Sequence, residues 1–104
     1  MKFELRITSP ANRDLAQQGK YLAERNAVIA RRFLAAVRLS CERLRATPDL
    51  GEVWSDGDPR DGIVRCWCVR GFEKYVIYYR VISASIQILR VLHSAQDAEQ
   101  EVGS

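Results

Sequence analysis

Four residues in the second half of the chain have the chemistry to handle phosphate and protons: Arg65, Arg80, Arg90 and His93. Cutting RNA through its 2′-hydroxyl needs a base, an acid, and cations on the phosphate that gains charge. The three arginines could supply the cations. His93 is the only histidine, and a histidine, titrating near ~6.5, could act as base or acid. A second proton-transfer group is hard to find, because neither Glu73 nor Asp97 has a spacing that demands the role. Plainer readings stand beside the chemical ones. Arg65 and Arg90 could pair with acidic residues across a sheet, and His93 could close its strand by a hydrogen bond to the backbone.

Binding is the other chemistry on offer. The net charge is only +3, yet thirteen of the sixteen basic residues are Arg. The planar guanidinium fork suits carboxylates and phosphates and is less costly to desolvate than an ammonium. An Arg-rich surface therefore points to an acidic partner or to RNA, with codon bias and solubility as the bland alternative. Tyr75, Tyr78 and Tyr79 read first as sheet packing, since aromatic residues favour strands. Trp54 and Trp67 are better interface anchors.

Cys41, Cys66 and Cys68 are an odd set with no secretory segment ahead of them, which predicts free thiols in a reducing compartment. The Cys66-x-Cys68 spacing is too short for a zinc knuckle, so neither metal nor cofactor is expected. No apolar run approaches the ~20 residues of a membrane span, and Met1-Lys2-Phe3-Glu4 is no signal peptide. A cytoplasmic protein without a membrane role is the expectation.

These residues must be positioned by one domain, since 104 residues hold a single core. Phe3 to Thr8 alternates as a half-buried strand, and Ser9-Pro10 opens a helix as N-cap and first helical residue. That helix carries Ala11, Leu15, Leu22 and Ala23 on one face, with Asp14 favoured by the dipole early in it; Gln18 and Gly19 break the stripe. Asn26 can cap either neighbouring helix end. The second helix is marked by Ala30, Phe33, Val37, Cys41 and Leu44, with Arg31, Arg32, Arg38, Arg43 and Arg45 on its other faces. So short a connection predicts an antiparallel hairpin, stopped by Thr47-Pro48-Asp49-Leu50-Gly51.

A polar stretch follows from Glu52 to Gly62, turning at Asp56-Gly57-Asp58-Pro59, with Trp54 a candidate for a short edge strand. Strands are predicted over 63–69, with Arg65 and Trp67 on one face and Val64, Cys66 and Cys68 on the other, then over 75–81 and 85–93, turning at Arg70-Gly71 and Ser83-Ala84. The acidic residues 94–104 read as a frayed turn of helix or a flexible tail. The whole is a two-layer α+β domain, β-α-α-β-β-β with a possible extra strand, its helical hairpin packed on a mainly antiparallel sheet.

Several segments are familiar. Asp14-Leu15, Tyr21-Leu22-Ala23-Glu24-Arg25-Asn26, Ala30-Arg31-Arg32-Phe33 and Leu44-x-x-x-Pro48-x-Leu50-Gly51 resemble the hairpin of ParE-type toxins of the ParE/RelE superfamily. Val64-Arg65, Val69-Arg70-Gly71-Phe72-Glu73-Lys74-Tyr75-Val76-Ile77-Tyr78-Tyr79-Arg80 and Ile88-Leu89-Arg90-Val91-Leu92-His93-x-Ala95-x-Asp97 resemble that family's sheet. Gln18 stands where the family usually has an apolar residue, and Gln96 where it usually has Arg. The resemblance implies a stable toxin encoded beside a labile antitoxin, the pair touching operator DNA only through the antitoxin. ParE-like members are understood to inhibit DNA gyrase, RelE-like relatives to cleave ribosome-bound mRNA, and one scaffold hosts both. A non-toxic relative kept as an antitoxin partner is the third reading.

On this resemblance an antitoxin segment is expected to set its carboxylates on Arg31, Arg38 or Arg45, or to add a strand at the edge near Trp54 or Phe3. The target surface is expected around Arg65, Trp67, Arg90, His93, Gln96 and Asp97.

Overall fold

The computed structural model describes residues 2–55, 62–96 and 98–103. The first strand, β1 (Glu4–Ile7), is shorter than its alternation suggests, and Phe3 precedes it. Helix α1 (Ser9–Ala23) is capped by Thr8, not Ser9: the Thr8 hydroxyl accepts from the Ala11 N–H, and Ser9 and Pro10 both lie inside the first turn. Asn26 caps α2 (Ala27–Ala46), its Oδ1 accepting from the Val28 and Ile29 N–H groups. All five stripe residues of α2 are buried, whereas in α1 only Ala11 and Asp14 are, and Ala23 is exposed. The second helix therefore anchors the hairpin.

The sheet has five strands in the order β1-β5-β4-β3-β2, where β2 is Glu52–Ser55, β3 Val64–Val69, β4 Phe72–Ile82 and β5 Ser85–His93. Strand β4 is longer at both ends than the 75–81 expected from composition. All neighbours are antiparallel except β1, which runs parallel to β5. Trp54 lies on the expected edge strand; the turn expected at 56–59 lies outside the described residues. Gly71 supplies the positive φ that closes the β3–β4 turn.

A bulge between β4 and β5 decides which side chains reach the hairpin. Tyr78 opposes Arg90 and Tyr79 opposes Ile88, so Leu89 is an extra residue on β5. Ile88 and Val91, three apart, consequently face the same way, into a core with Phe33, Val37, Cys41, Leu44, Ile77 and Tyr79. The opposite face carries a smaller cluster of Val64, Tyr78 and Leu92. Where a frayed turn or flexible tail was expected, α3 (Ala98–Gly103) packs Ala98 and Val102 on this second cluster.

The α2–β2 connection is tied to the sheet by one phenol. Tyr79 Oη donates to the Pro48 carbonyl at 2.6 Å and accepts from the Gly51 N–H at 2.9 Å. A Cβ on Gly51 would stand 2.6 Å from that oxygen and 2.7 Å from the Cys66 carbonyl. Gly51→Ala should lose stability by roughly 1–3 kcal/mol through overpacking, and Tyr79→Phe by a similar amount through two orphaned backbone groups. Urea unfolding monitored by circular dichroism checks both.

Candidate functional site

Among the residues with chemical potential, Arg90 has the most defined surroundings. Its Nε donates to Asp14 Oδ2 at 2.7 Å and its Nη2 to Asp14 Oδ1 at 2.8 Å, a two-bond fork between β5 and α1. Asp14 Oδ2 also accepts from the Val91 N–H at 3.0 Å. The reason lies in the topology. Strand β1 covers β5 only as far as Ile88, where the chain turns into α1, and the groups beyond need partners. Thr8 takes the Ile88 and Leu89 carbonyls, and Asp14 takes the Val91 N–H. Arg90 Nη1 reaches on to Glu101 Oε2 of α3 at 2.9 Å. The hydrogen bonds that Arg90 donates to Asp14 raise the guanidinium pKa above its already high ordinary value.

Expected as a phosphate or target cation, Arg90 is instead the joint between sheet, first helix and third helix. Its acidic partner comes from a helix, not from across the sheet. Asp14, expected only as an anion favoured by the dipole early in the helix, is that partner.

Arg65 and Arg80 are also engaged. Arg65 Nη1 donates to the Gly51 carbonyl at 2.8 Å, and Arg80 Nε to Gln87 Oε1 at 2.7 Å. Arg65 opposes Tyr79 and His93 opposes Tyr75, four residues along β4 and about 13 Å of strand apart. The residues weighed for RNA cleavage are therefore spread along the sheet: His93 stands at one end and Arg65 toward the other.

His93 donates its backbone N–H to Gln96 Oε1 at 2.8 Å, and its Nδ1 accepts from the Ala95 N–H at 3.0 Å. This is the strand-closing role, and it puts the neutral ring's proton on Nε2. The ring meets Tyr75 edge-on at 5.1 Å. A cavity of about 330 Å³ opens here, lined by Gln17, Gln18, Tyr21, Tyr75, His93 and Gln96. Tyr75 Oη donates to Gln18 Oε1 at 3.2 Å, which is how a glutamine serves in an otherwise apolar stripe. Among the described residues the lining is rich in amides and phenols and carries no carboxylate or guanidinium, which suits recognition by hydrogen bonds. Of this lining the sequence singles out His93 and Gln96 as target contacts and Gln18 as a break in the stripe, whereas Gln17 gives no signal. Asp97, expected here, lies outside the described residues.

On the hairpin, Arg31 and Arg38 are exposed and have no partner among the described residues. Arg45 differs from the free cation expected. Its Nε donates to the Phe3 carbonyl at 2.7 Å and its Nη1 to both Glu42 oxygens at 3.0 Å, clamping the N-terminus to the end of α2. Phe3 is correspondingly half-buried against the core. Trp54 stands edge-on to Tyr78 at 5.3 Å on the face away from the hairpin, whereas Trp67 lies on the hairpin side. Each tryptophan is thus partly engaged in packing.

Compared with known families, residues 5–98 match the model of the ParE toxin of type II toxin–antitoxin systems, parDE. The chain belongs to the ParE toxin family. A solved structure of the chromosomal ParDE toxin–antitoxin system from P. aeruginosa is similar to it with a TM-score of 0.69 at 20% identity, over 88% of this chain and 96% of that one. Comparison with curated proteins gives no match. The match begins in β1 and reaches the first residue of α3, so it includes Asp14, Arg90 and the His93 pocket.

In this ParE-family chain no group of three or more His, Cys, Asp or Glu among the described residues is placed to hold a metal. No helix among them is long and apolar enough to cross a membrane. Cys41, Cys66 and Cys68 are free thiols, respectively buried, half-buried and exposed.

Two predictions follow from this geometry. Asp14→Ala and Arg90→Ala should each cost about 3–5 kcal/mol by stranding a buried charge or donor, and the Asp14→Leu/Arg90→Met pair should cost less than the sum of its single changes; urea titrations of the four proteins read this directly. For the thiols, burial pushes Cys41 from 9.0 up to about 11. A raised thiol pKa favours the fold while the thiol is neutral, so this contribution is complete below pH 9 and is lost as pH rises through 11. Stability should fall across that window, less so in Cys41→Ala, and a thiol reagent at pH 7 should modify Cys68 fastest and Cys41 only on unfolding.

Proposed function

We propose that this ParE-family protein is a toxin that acts by binding DNA gyrase and is neutralised by a cognate antitoxin. The carrying observation is the family match from β1 to α3, since it spans every candidate residue except Phe3. The charge distribution supports an acidic neutralising segment. Residues 9–46, the hairpin, hold eight basic and three acidic residues, while the rest of the chain holds eight basic and ten acidic. Two of those three acids are taken internally, Asp14 by Arg90 and Glu42 by Arg45. Arg31 and Arg38 are left facing solvent, where an acidic amphipathic segment would meet them.

Action by binding fits the state of the sheet arginines. Arg65, Arg80 and Arg90 each hold part of the fold, and among the described residues none lines the cavity at His93. A ribonuclease would have to free at least one of them before it could stabilise a phosphate. The His93 pocket, with Gln96 at its rim, is the proposed contact for the target. A cytoplasmic site of action and growth arrest follow from the proposed target.

The test is a supercoiling assay with purified gyrase. Added toxin should inhibit it, and the purified antitoxin should reverse the inhibition. His93→Ala with Gln96→Ala should weaken inhibition about tenfold or more while the protein stays folded; full inhibition by that variant removes the proposed contact. Calorimetry with the antitoxin checks the hairpin: Arg31→Glu with Arg38→Glu should lower affinity at least about tenfold, and unchanged binding sinks that surface.

A further inference from the structure

We infer that the cavity at His93 takes a carboxylate side chain, an aspartate or glutamate presented by the protein that this toxin binds. The inference deepens the proposed target contact and rests on that reading for the source of the carboxylate. The chemistry follows from how the half-buried polar groups of the lining are already committed. Gln96 Oε1 accepts the His93 backbone N–H, Gln18 Oε1 accepts the Tyr75 hydroxyl, and His93 Nδ1 accepts the Ala95 N–H. In each of the three groups the acceptor is used inside the molecule and the donor is left over. The Gln18 NH2, the Gln96 NH2 and the His93 Nε2–H have no partner among the described residues. Gln96 cannot turn its oxygen outward without giving up the His93 N–H. Tyr75 keeps its proton for Gln18, since burial and then the neighbouring Tyr21 phenol push its pKa above 10.0.

The walls suit the stem of such a side chain. Tyr75 is buried and meets the His93 ring edge-on. Tyr21 is 49% exposed but is held in place, because the Arg25 guanidinium lies over its ring, 3.6 Å from the centroid, and donates to the Tyr21 carbonyl at 3.0 Å. The exposed Gln17 amide and Tyr21 hydroxyl have no hydrogen-bond partner among the described residues and can adjust to the backbone that carries the carboxylate. Three convergent donors match the lone pairs of one carboxylate, and hydrogen bonds to an ionised acceptor are about twice as strong as those to a neutral one. The surrounding charge favours an anion over a neutral carbonyl. Lys20 and Lys74 adjoin Tyr21 and Tyr75 in sequence and Arg25 lies on Tyr21, against one adjoining acid, Asp97. A phosphate fits less well, because no described lining residue is a guanidinium or ammonium that could sit on its oxygens.

The probes are N-acetylglutamate N-methylamide, the matching glutamine compound and dimethyl phosphate, each titrated into the ¹⁵N-labelled full chain. The glutamate probe should move the side-chain amide signals of Gln18 and Gln96 and the ring signals of His93, and bind at least about tenfold tighter than the other two. Gln18→Glu and Gln96→Glu test the donors themselves. Each keeps the oxygen that accepts the Tyr75 hydroxyl or the His93 N–H, and exchanges the free NH2 for a second carboxylate oxygen. Each should abolish the glutamate response with the rest of the spectrum intact. Equal binding of the glutamine compound, a preference for dimethyl phosphate, shifts centred elsewhere, no response at tens of millimolar glutamate probe, or undiminished binding in either variant overturns the inference. In the supercoiling assay each variant should inhibit gyrase about tenfold less than the parent chain. Undiminished inhibition also overturns the inference, while the gyrase reading stands. A parent chain that binds the glutamate probe and leaves gyrase untouched supports the pocket's chemistry and removes only gyrase as the source of the carboxylate.

Discussion

The fork between Asp14 and Arg90 is the contact on which the arrangement depends. A parallel β1 can cover only part of β5, because the chain must leave the sheet to start the hairpin. The remaining edge of β5 would sit under α1 with unpaired backbone groups. Asp14 supplies the missing acceptor for Val91, and a carboxylate placed there needs a cation, which the bulge at Leu89 helps deliver as Arg90. The same guanidinium reaches Glu101 and holds α3 against the far face. One ion pair thus fixes where the first helix lies, and with it the Gln18 wall of the His93 pocket.

That constraint sorts the arginines into two sets. Arg45, Arg65, Arg80 and Arg90 are spent on carbonyls, a glutamine and carboxylates inside the molecule. Arg31, Arg38, Arg43 and Arg70 point outward without partners among the described residues. The first set explains why a chain with so many cations need not be a nuclease. The second gives the outer surface its capacity to meet acidic protein.

The α+β layout was legible in the residues because the signals were local. The stripe from Ala30 to Leu44 is one helical face, Asn26 is a cap, and Gly71 is a turn. The pairing of Asp14 with Arg90 and the bond from Arg45 to Phe3 were not legible, because each partner is distant in sequence or is a backbone group with no side-chain signature. Arg90 and Asp14 are 76 residues apart, and Arg45 and the Phe3 carbonyl 42. A charge count sees an arginine but not whether it is occupied. The tail's packing was hidden for a related reason: its acidic composition allows a turn of helix but does not show that Val102 meets the second cluster or that Glu101 pairs with Arg90.

The central claim is that this toxin works by occupying its target and not by cutting RNA. Transcript integrity measures this most directly. Messages from cells expressing the toxin without antitoxin are mapped by primer extension through the onset of growth arrest. The account predicts full-length transcripts with no new 5′ ends inside coding regions while growth stops. Fresh internal breaks at translated codons, appearing before the arrest and abolished by His93→Ala, would contradict it.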